Sequence, residues 1–377
     1  MHVDIKIPIT DRWLKMKRFF EDMGSIFVLM AVLGLVFQTP VCEAAGAIVS
    51  LISDESLGPA ARHGLEKVKA ALREKGAQLV EAANPATARG GMLLVAGLAK
   101  GPGTAADLVR EQALAPPNGP EALLIRRLEW EGKEVFLVCG SDDRGLMYGL
   151  LDAADRIGWA ESAARPLNEI RDASEKPYTP ERALSMYTMH RATFESFFYD
   201  ESFWERYLDM LARNRYNTFA LIFGYENYGY FVPHYPHFYN MDEFPEVRLV
   251  GITEAGQERN RKALRRVIAM AHERGLNFTL GIWDHIYRGN YGHTLTEPTP
   301  GFVWGLTGEN LMEYSVAALR RFLKTFPEID AIQFRMHGES GLKKGEMEEF
   351  WTRMYQTMID HAPQMRFDAR AKNSSPS

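Results

Sequence analysis

From Ala47 onward, short apolar runs take turns with segments whose apolar residues recur every three or four positions. AIVSLIS (47–53) reads as a buried strand. GPAARHGLEKVKAALREKG (58–76) reads as an amphipathic helix, because Ala61, Leu65, Val68 and Leu72 fall on one face. AQLVEA (77–82) and GMLLVAGLAKG (91–101) are further strands, and ALLIRRLEWEGKEVFLVCGSD (122–142) is two strands around a turn at Glu131 and Gly132. DRGLMYGLLDAADRIG (143–158) closes the set as a helix. The pattern predicts a compact α+β domain over 45–175, ended by the proline-containing linker EKPYTP (175–180).

Beyond the linker the pattern becomes a regular alternation of strand and helix. The expected strands are RALSMY (182–187), TFALIFGY (218–225), FTLGIWD (278–284), AIQFRM (331–336) and MRFDAR (365–370), with helical periodicity between them. Such alternation builds a parallel sheet with right-handed crossovers. No phosphate-binding glycine fingerprint follows any of these strands, which argues against a nucleotide fold. The fold class expected is therefore α/β: a small α+β N-terminal domain followed by an incomplete TIM (β/α)8 barrel over 178–371, with a polar tail at 372–377. Only 200 residues run from Tyr178 to the end, against about 250 for a full barrel, so a truncated barrel with two unpaired edges is expected.

In such a barrel the chemistry gathers where strands end and the following loops begin. The fourth barrel strand fills the sheet from Ala331 to Met336 and then delivers His337, Gly338 and Glu339 to that rim. Other strand ends bring Thr188, His190 and Arg191, then Tyr225 and Glu226, Asp284 and His285, and Asp368 with Arg370. Glycosidic hydrolysis needs one protonated carboxyl group and one ionised one. Glu339 is the candidate acid, with Asp284 or Asp368 as the second carboxylate or as an acceptor for sugar hydroxyls. Between 225 and 244 the chain carries Tyr225, Tyr228, Tyr230, Phe231, Tyr235, Phe238 and Tyr239. These rings either pack over the barrel or stack on sugar faces. His285 and His337 join Tyr225 and Tyr228 as candidate substrate contacts.

Composition narrows the field. A net charge of −5 with scattered Lys and Arg carries no footprint for nucleic acid. Basic Lys15, Lys17 and Arg18, the apolar run from Ile26 to Phe37 and the small residues up to Ala44 have the order of a secretory signal over 1–44, with Met16 a plausible true start. That predicts export to a periplasm or cell surface and no membrane span after cleavage. Of the two cysteines, Cys42 and Cys139, only the second would remain, so neither a disulfide nor a cysteine-based zinc site is expected. His234 and His237 stand three apart without a convincing third ligand. No metal and no cofactor are expected, although a metal-dependent barrel hydrolase using His234, His237, His285 and His337 is an alternative. The expected partner is a carbohydrate substrate, and the oligomeric state is left open.

GSDDRGLMYGLLDAADRIG (140–158) resembles the closing helix of the small domain that precedes the barrel in family 20 β-hexosaminidases and family 67 α-glucuronidases. The stretch from Glu181 to Ile222 resembles their first barrel unit, with Arg182 opening the first strand and Asn217 in the turn before the second. The resemblance implies a carbohydrate-active enzyme. Family 20 enzymes carry adjacent Asp and Glu after the fourth strand, whereas Gly338 stands in place of that Asp and Glu339 matches the acid. This departure favours an α-glucuronidase-like activity over a β-N-acetylhexosaminidase, with Arg182, Arg191 and Arg335 available to receive a sugar carboxylate in bidentate fashion. A non-catalytic carbohydrate-binding fragment is the remaining alternative.

Overall fold

The apolar run at Ile48–Ser53 becomes a central strand, β1, because helices cover both faces of the sheet around it. The computed structural model describes residues 46–188, 190–223, 233–283, 297–336, 342 and 345–370. The expected leader at 1–44 and the tail at 372–377 lie outside them. After β1 come α1 (Pro59–Glu74), β2 (Gln78–Glu81), β3 (Met92–Leu98), α2 (Thr104–Glu111), β4 (Leu123–Trp130), β5 (Lys133–Gly140), α3 (Asp143–Trp159) and β6 (Ala173–Glu175). They form a six-stranded sheet in the order β2-β1-β3-β5-β4-β6, parallel except where β4 runs antiparallel to β5 and β6. Leu65, Val68 and Leu72 of α1 pack with Leu146, Leu150 and Ile157 of α3 on one face, and Leu108 of α2 covers the other. Burial of each such side chain contributes roughly 1.5–3 kcal/mol. The helix α2 and strand β6 are additions to the expected pattern; eight and three residues respectively are too short to show periodicity.

The second half contains β7 (Ala183–Met186), α4 (Arg191–Phe198), α5 (Glu201–Arg213), β8 (Thr218–Ile222), β9 (Arg248–Leu249), α6 (Glu254–Glu273), β10 (Asn277–Ile282), β11 (Val303–Trp304), α7 (Leu311–Thr325), β12 (Ala331–Phe334), α8 (Met347–His361) and β13 (Arg366–Ala369). Strands β7, β8, β10, β12 and β13 form one parallel sheet in chain order, which is the unclosed barrel arrangement expected. Among the described residues β7 and β13 are its edges. The antiparallel pair β9 and β11 lies apart from this sheet. Among the described residues no helix is long and apolar enough to cross a membrane.

A buried carboxylate holds the two sheets together. Glu121 is 7% exposed and sits at a positive φ of 58°, a conformation costly for a side-chain-bearing residue. Its carboxylate accepts from Arg144 Nη1 at 2.7 Å, from Asn217 Nδ2 at 2.9 Å and from Arg182. Its N–H donates to Asp142 Oδ2 at 2.7 Å, while Asp142 Oδ1 caps α3 through Gly145 N at 2.8 Å. Gly145 must be glycine, since a Cβ there would stand 2.2 Å from the Ala122 carbonyl oxygen. Arg144 also reaches Asn277 of β10, and the Tyr148 hydroxyl donates to the Tyr216 carbonyl. A second pin joins Lys67 of α1 to Asp209 of α5, which also accepts from Arg274 Nε at 2.6 Å. His63 lies 3.3 Å from Asp209, and burial together with Arg274 pulls its pKa down to about 4, so it is neutral there.

Burial alone would raise the Glu121 pKa, but the hydrogen bonds from Arg182, Asn217 and Arg144 outweigh it and hold the carboxyl below 4.5. The same balance holds Asp209 below 3.8 through Lys67 and Arg274. Depressed folded-state values contribute stability that is present above the ordinary carboxylate range and lost as pH falls through it. Glu121→Ala is expected to cost about 3–5 kcal/mol in denaturant unfolding at pH 7, because it strands two arginines. That difference should shrink below about pH 4; a constant difference down to pH 3 would show that the carboxylate's charge is not what stabilises the junction.

Candidate active site

Five parallel strands that start at one level also end at one level, so their carboxyl ends share a rim. Leu221 pairs with Met186 and Leu280, Ile332 with Leu280, and Phe367 with Ile332, giving one transverse row of apolar residues toward the helices. Side chains alternate along a strand. The adjoining row of Tyr187, Ile222, Gly281, Gln333 and Asp368 therefore faces the barrel interior. Two residues further, Trp283, Arg335 and Arg370 share that face at the rim. Backbone bonds from Arg335 N to the Ile282 carbonyl and from Arg370 N to the Phe334 carbonyl carry the ladder that far.

Arg335 is the unusual member. It is 9% exposed, and its guanidinium lies 4.9 Å from the Trp283 ring centroid and 5.8 Å from that of Tyr187. Its Nη1 donates to Gln333 Oε1 at 2.9 Å, yet its Nε is buried without a hydrogen-bond partner among the described residues. Among those residues no carboxylate pairs with it either. Burial, reinforced by Arg370, pulls its pKa down to about 10, so it remains a cation at neutral pH. Aromatic faces partly offset the lost hydration. An anion is the group that would complete the arrangement.

The sequence candidates fare unequally. Arg335 stands at the rim, directly past β12. Arg182 does not: it precedes β7 at the opposite, amino end, where its donors go to Glu121, to the Arg215 carbonyl at 2.6 Å and to the Thr179 carbonyl at 2.8 Å. It belongs to the junction between the sheets, where Nε, Nη1 and Nη2 are each engaged. Asp368 faces the barrel interior one row below Arg335, and its two oxygens accept from Arg366, at 2.8 and 2.9 Å. Arg191 opens α4, which follows the carboxyl end of β7, and pairs with Glu195 at 2.9 Å. Glu339, Asp284, Tyr225, Tyr228, His285 and His337 lie outside the described residues. Tyr235, Phe238 and Tyr239 pack in the core against α7, with Phe238 on Phe322 and Phe326, so they offer no platform for a sugar. His234 and His237 are buried; burial lowers both pKa values, that of His237 to about 4. Among the described residues no three His, Cys, Asp or Glu side chains gather as a metal site. Tyr187, Trp283 and Gln333 escape the sequence reading, although counting in twos along each strand from Arg335 and its neighbours finds them.

Compared with solved structures, the chain is similar to a GH138 enzyme targeting pectin rhamnogalacturonan II, with a TM-score of 0.58 and 17% identity. It is also similar to CpGH84D, with a TM-score of 0.53 and 11% identity. The likeness is one of fold. The matches cover 83% and 86% of this chain but 42% and 46% of those two, so the chain spans less than half of either. No family model matches the chain, and no curated protein does.

A buried, unpaired charge costs stability, and an apolar residue of similar length removes that cost. Arg335→Met is expected to raise stability by about 1–2 kcal/mol, measured by urea unfolding at pH 7. A loss of stability instead would mean that the arginine serves the fold.

Proposed function

We propose that the protein is a glycoside hydrolase of the α-glucuronidase-like kind, cleaving an O-glycosyl bond next to a uronic acid. The observation that carries this reading is Arg335: a buried guanidinium at the strand-end rim, stacked on aromatic rings and without a carboxylate partner among the described residues. A sugar carboxylate would complete it with charge-assisted hydrogen bonds, while the Trp283 and Tyr187 rings offer flat apolar area to the pyranose. The fold shared with the GH138 enzyme, itself directed at a pectin polysaccharide, supports the substrate class without specifying it.

In this reading Glu339, four residues past Arg335, donates its proton to the departing glycosidic oxygen as the bond from that oxygen to the anomeric carbon breaks. Asp284, which directly follows Trp283, is the second carboxylate: it either takes a proton from the attacking water or attacks the anomeric carbon itself. The apolar run and small residues at 1–44 would export the protein to where polysaccharides are met.

Release of uronic acid from acidic oligosaccharides, pectin fragments included, is the test. Glu339→Gln is expected to lower kcat about 10²–10⁴-fold. Arg335→Ala is expected to lower kcat/KM for the acidic substrate about 10–100-fold, with a much smaller effect on the carboxyl-reduced substrate. Equal losses on both substrates, or no release of uronic acid by the wild-type chain, would refute the proposal.

A further inference from the structure

A second recess, which Arg335 does not line, lies beside the barrel sheet. It is a cleft of about 460 Å³ between α4, the carboxyl end of β8 and the first turns of α6. Its floor is the buried face of Phe194, Phe198 and Phe223, whose rings pack at 5.0–5.3 Å. Two guanidiniums line it. Arg191 enters beside Gly301, where a Cβ would stand 2.0 Å from Nη1, so glycine is what lets the cation through. Arg259 lies 3.7 Å from the centroid of the Tyr199 ring.

Tyr199 is held in turn. Its hydroxyl donates to Asn260 Oδ1 at 2.6 Å, and Asn260 Nδ2 donates to the His237 carbonyl at 2.8 Å. The ring that supports Arg259 is therefore fixed by one part-buried and one buried hydrogen bond. Among the described residues the one carboxylate lining the cleft, Glu195, is taken by Arg191. Among them, too, no acid lies within ion-pair distance of Arg259. Glu254, in the first turn of α6, lines a different groove, and His237 is neutral. Among the described residues the cleft thus has no acid paired with the stacked Arg259 guanidinium, which stands above an apolar floor and beside the backbone of 250–253 and 300–301.

We propose that this cleft is a second carbohydrate-binding site, which takes a carboxylate-bearing sugar unit on Arg259. A stacked guanidinium exposes its donor edge, which suits the planar carboxylate of a uronate. The volume falls in the range of small-ligand pockets. Arg335 and its ring neighbours Trp283 and Tyr187 do not line the cleft, whose floor residue Phe223 belongs to the helix-facing row of β8 with Phe219 and Leu221. The acidic-sugar class rests on the function proposed above; the anion requirement rests on the cleft alone.

Calorimetric titration of the full chain with uronic-acid oligosaccharides tests this, with carboxyl-reduced oligosaccharides and inorganic phosphate as comparisons. Two binding events are expected. Arg259→Ala should weaken one of them about 10–100-fold and leave turnover of a short substrate unchanged, whereas Arg335→Ala should remove the other. Because Arg259 is exposed on a helix and alanine favours helix, the variant should fold, which circular dichroism would verify. Arg259→Lys should restore charge but little affinity. Unchanged binding in Arg259→Ala, or phosphate and carboxyl-reduced sugar binding as tightly as uronate, would overturn the proposal. Loss through Arg259→Ala with no effect of Arg335→Ala would uphold this site and refute the catalytic reading.

Discussion

One ionised carboxylate, shut away from water between two sheets, decides how the two halves of the folded chain meet. Glu121 accepts from a helix of the first layer through Arg144 and from the second layer through Arg182 and Asn217. A charge buried without partners costs several kcal/mol, so the arrangement tolerates only relative positions of the sheets that bring all three donors to it. The strained φ of Glu121 is accepted for the same reason, with Asp142 holding its N–H. Residues 140–158, read in the sequence as a closing-helix motif, supply Asp142, Arg144, Gly145 and Tyr148 to this junction. The motif marks an architectural joint, and the joint fixes the amino ends of the barrel strands.

Once the amino ends are fixed, strand register determines what reaches the other side. The row of Met186, Leu221, Leu280, Ile332 and Phe367 has to face the helices, since a slip by one residue would turn every one of these side chains into the barrel. Tyr187, Gln333, Trp283, Arg335 and Arg370 are thereby turned inward. The apolar pattern that builds the core is what aims the polar rim, so the site's geometry follows from packing rather than from contacts among the site residues.

This explains which features could be read from the chain and which could not. The long periodic segments, α1, α3, α6, α7 and α8, and the apolar strands carry strong signals, and the parallel order follows from their alternation. Short elements such as α4 and the pair β9 and β11 carry almost no period. They are held by tertiary contacts such as the bonds linking Val250 to Phe302 and Gly301. Arginines are the hardest case. The sequence marks Arg182, Arg191 and Arg335 as equals, each near a strand end. Which end, and which carboxylate each meets, depends on residues far away in the chain, such as Glu121 for Arg182.

The contrast between Arg182 and Arg335 carries the functional argument. Both are largely buried, both stand at ends of barrel strands, and both lie against aromatic rings, at 5.9 Å from Tyr148 and 4.9 Å from Trp283. Arg182 has Glu121; among the described residues Arg335 has Gln333, a neutral acceptor that does not balance its charge. A stable fold gains nothing from leaving a guanidinium desolvated and uncompensated when Met or Leu would fill the same space. Among the described residues, this departure from charge pairing marks a place for a further anion. At the amino end the chain supplies its own anion and gains rigidity. At the carboxyl end, where barrel folds conduct their chemistry, the position suits a ligand's anion, and the desolvation already incurred in folding strengthens the pairing with whatever carboxylate takes it.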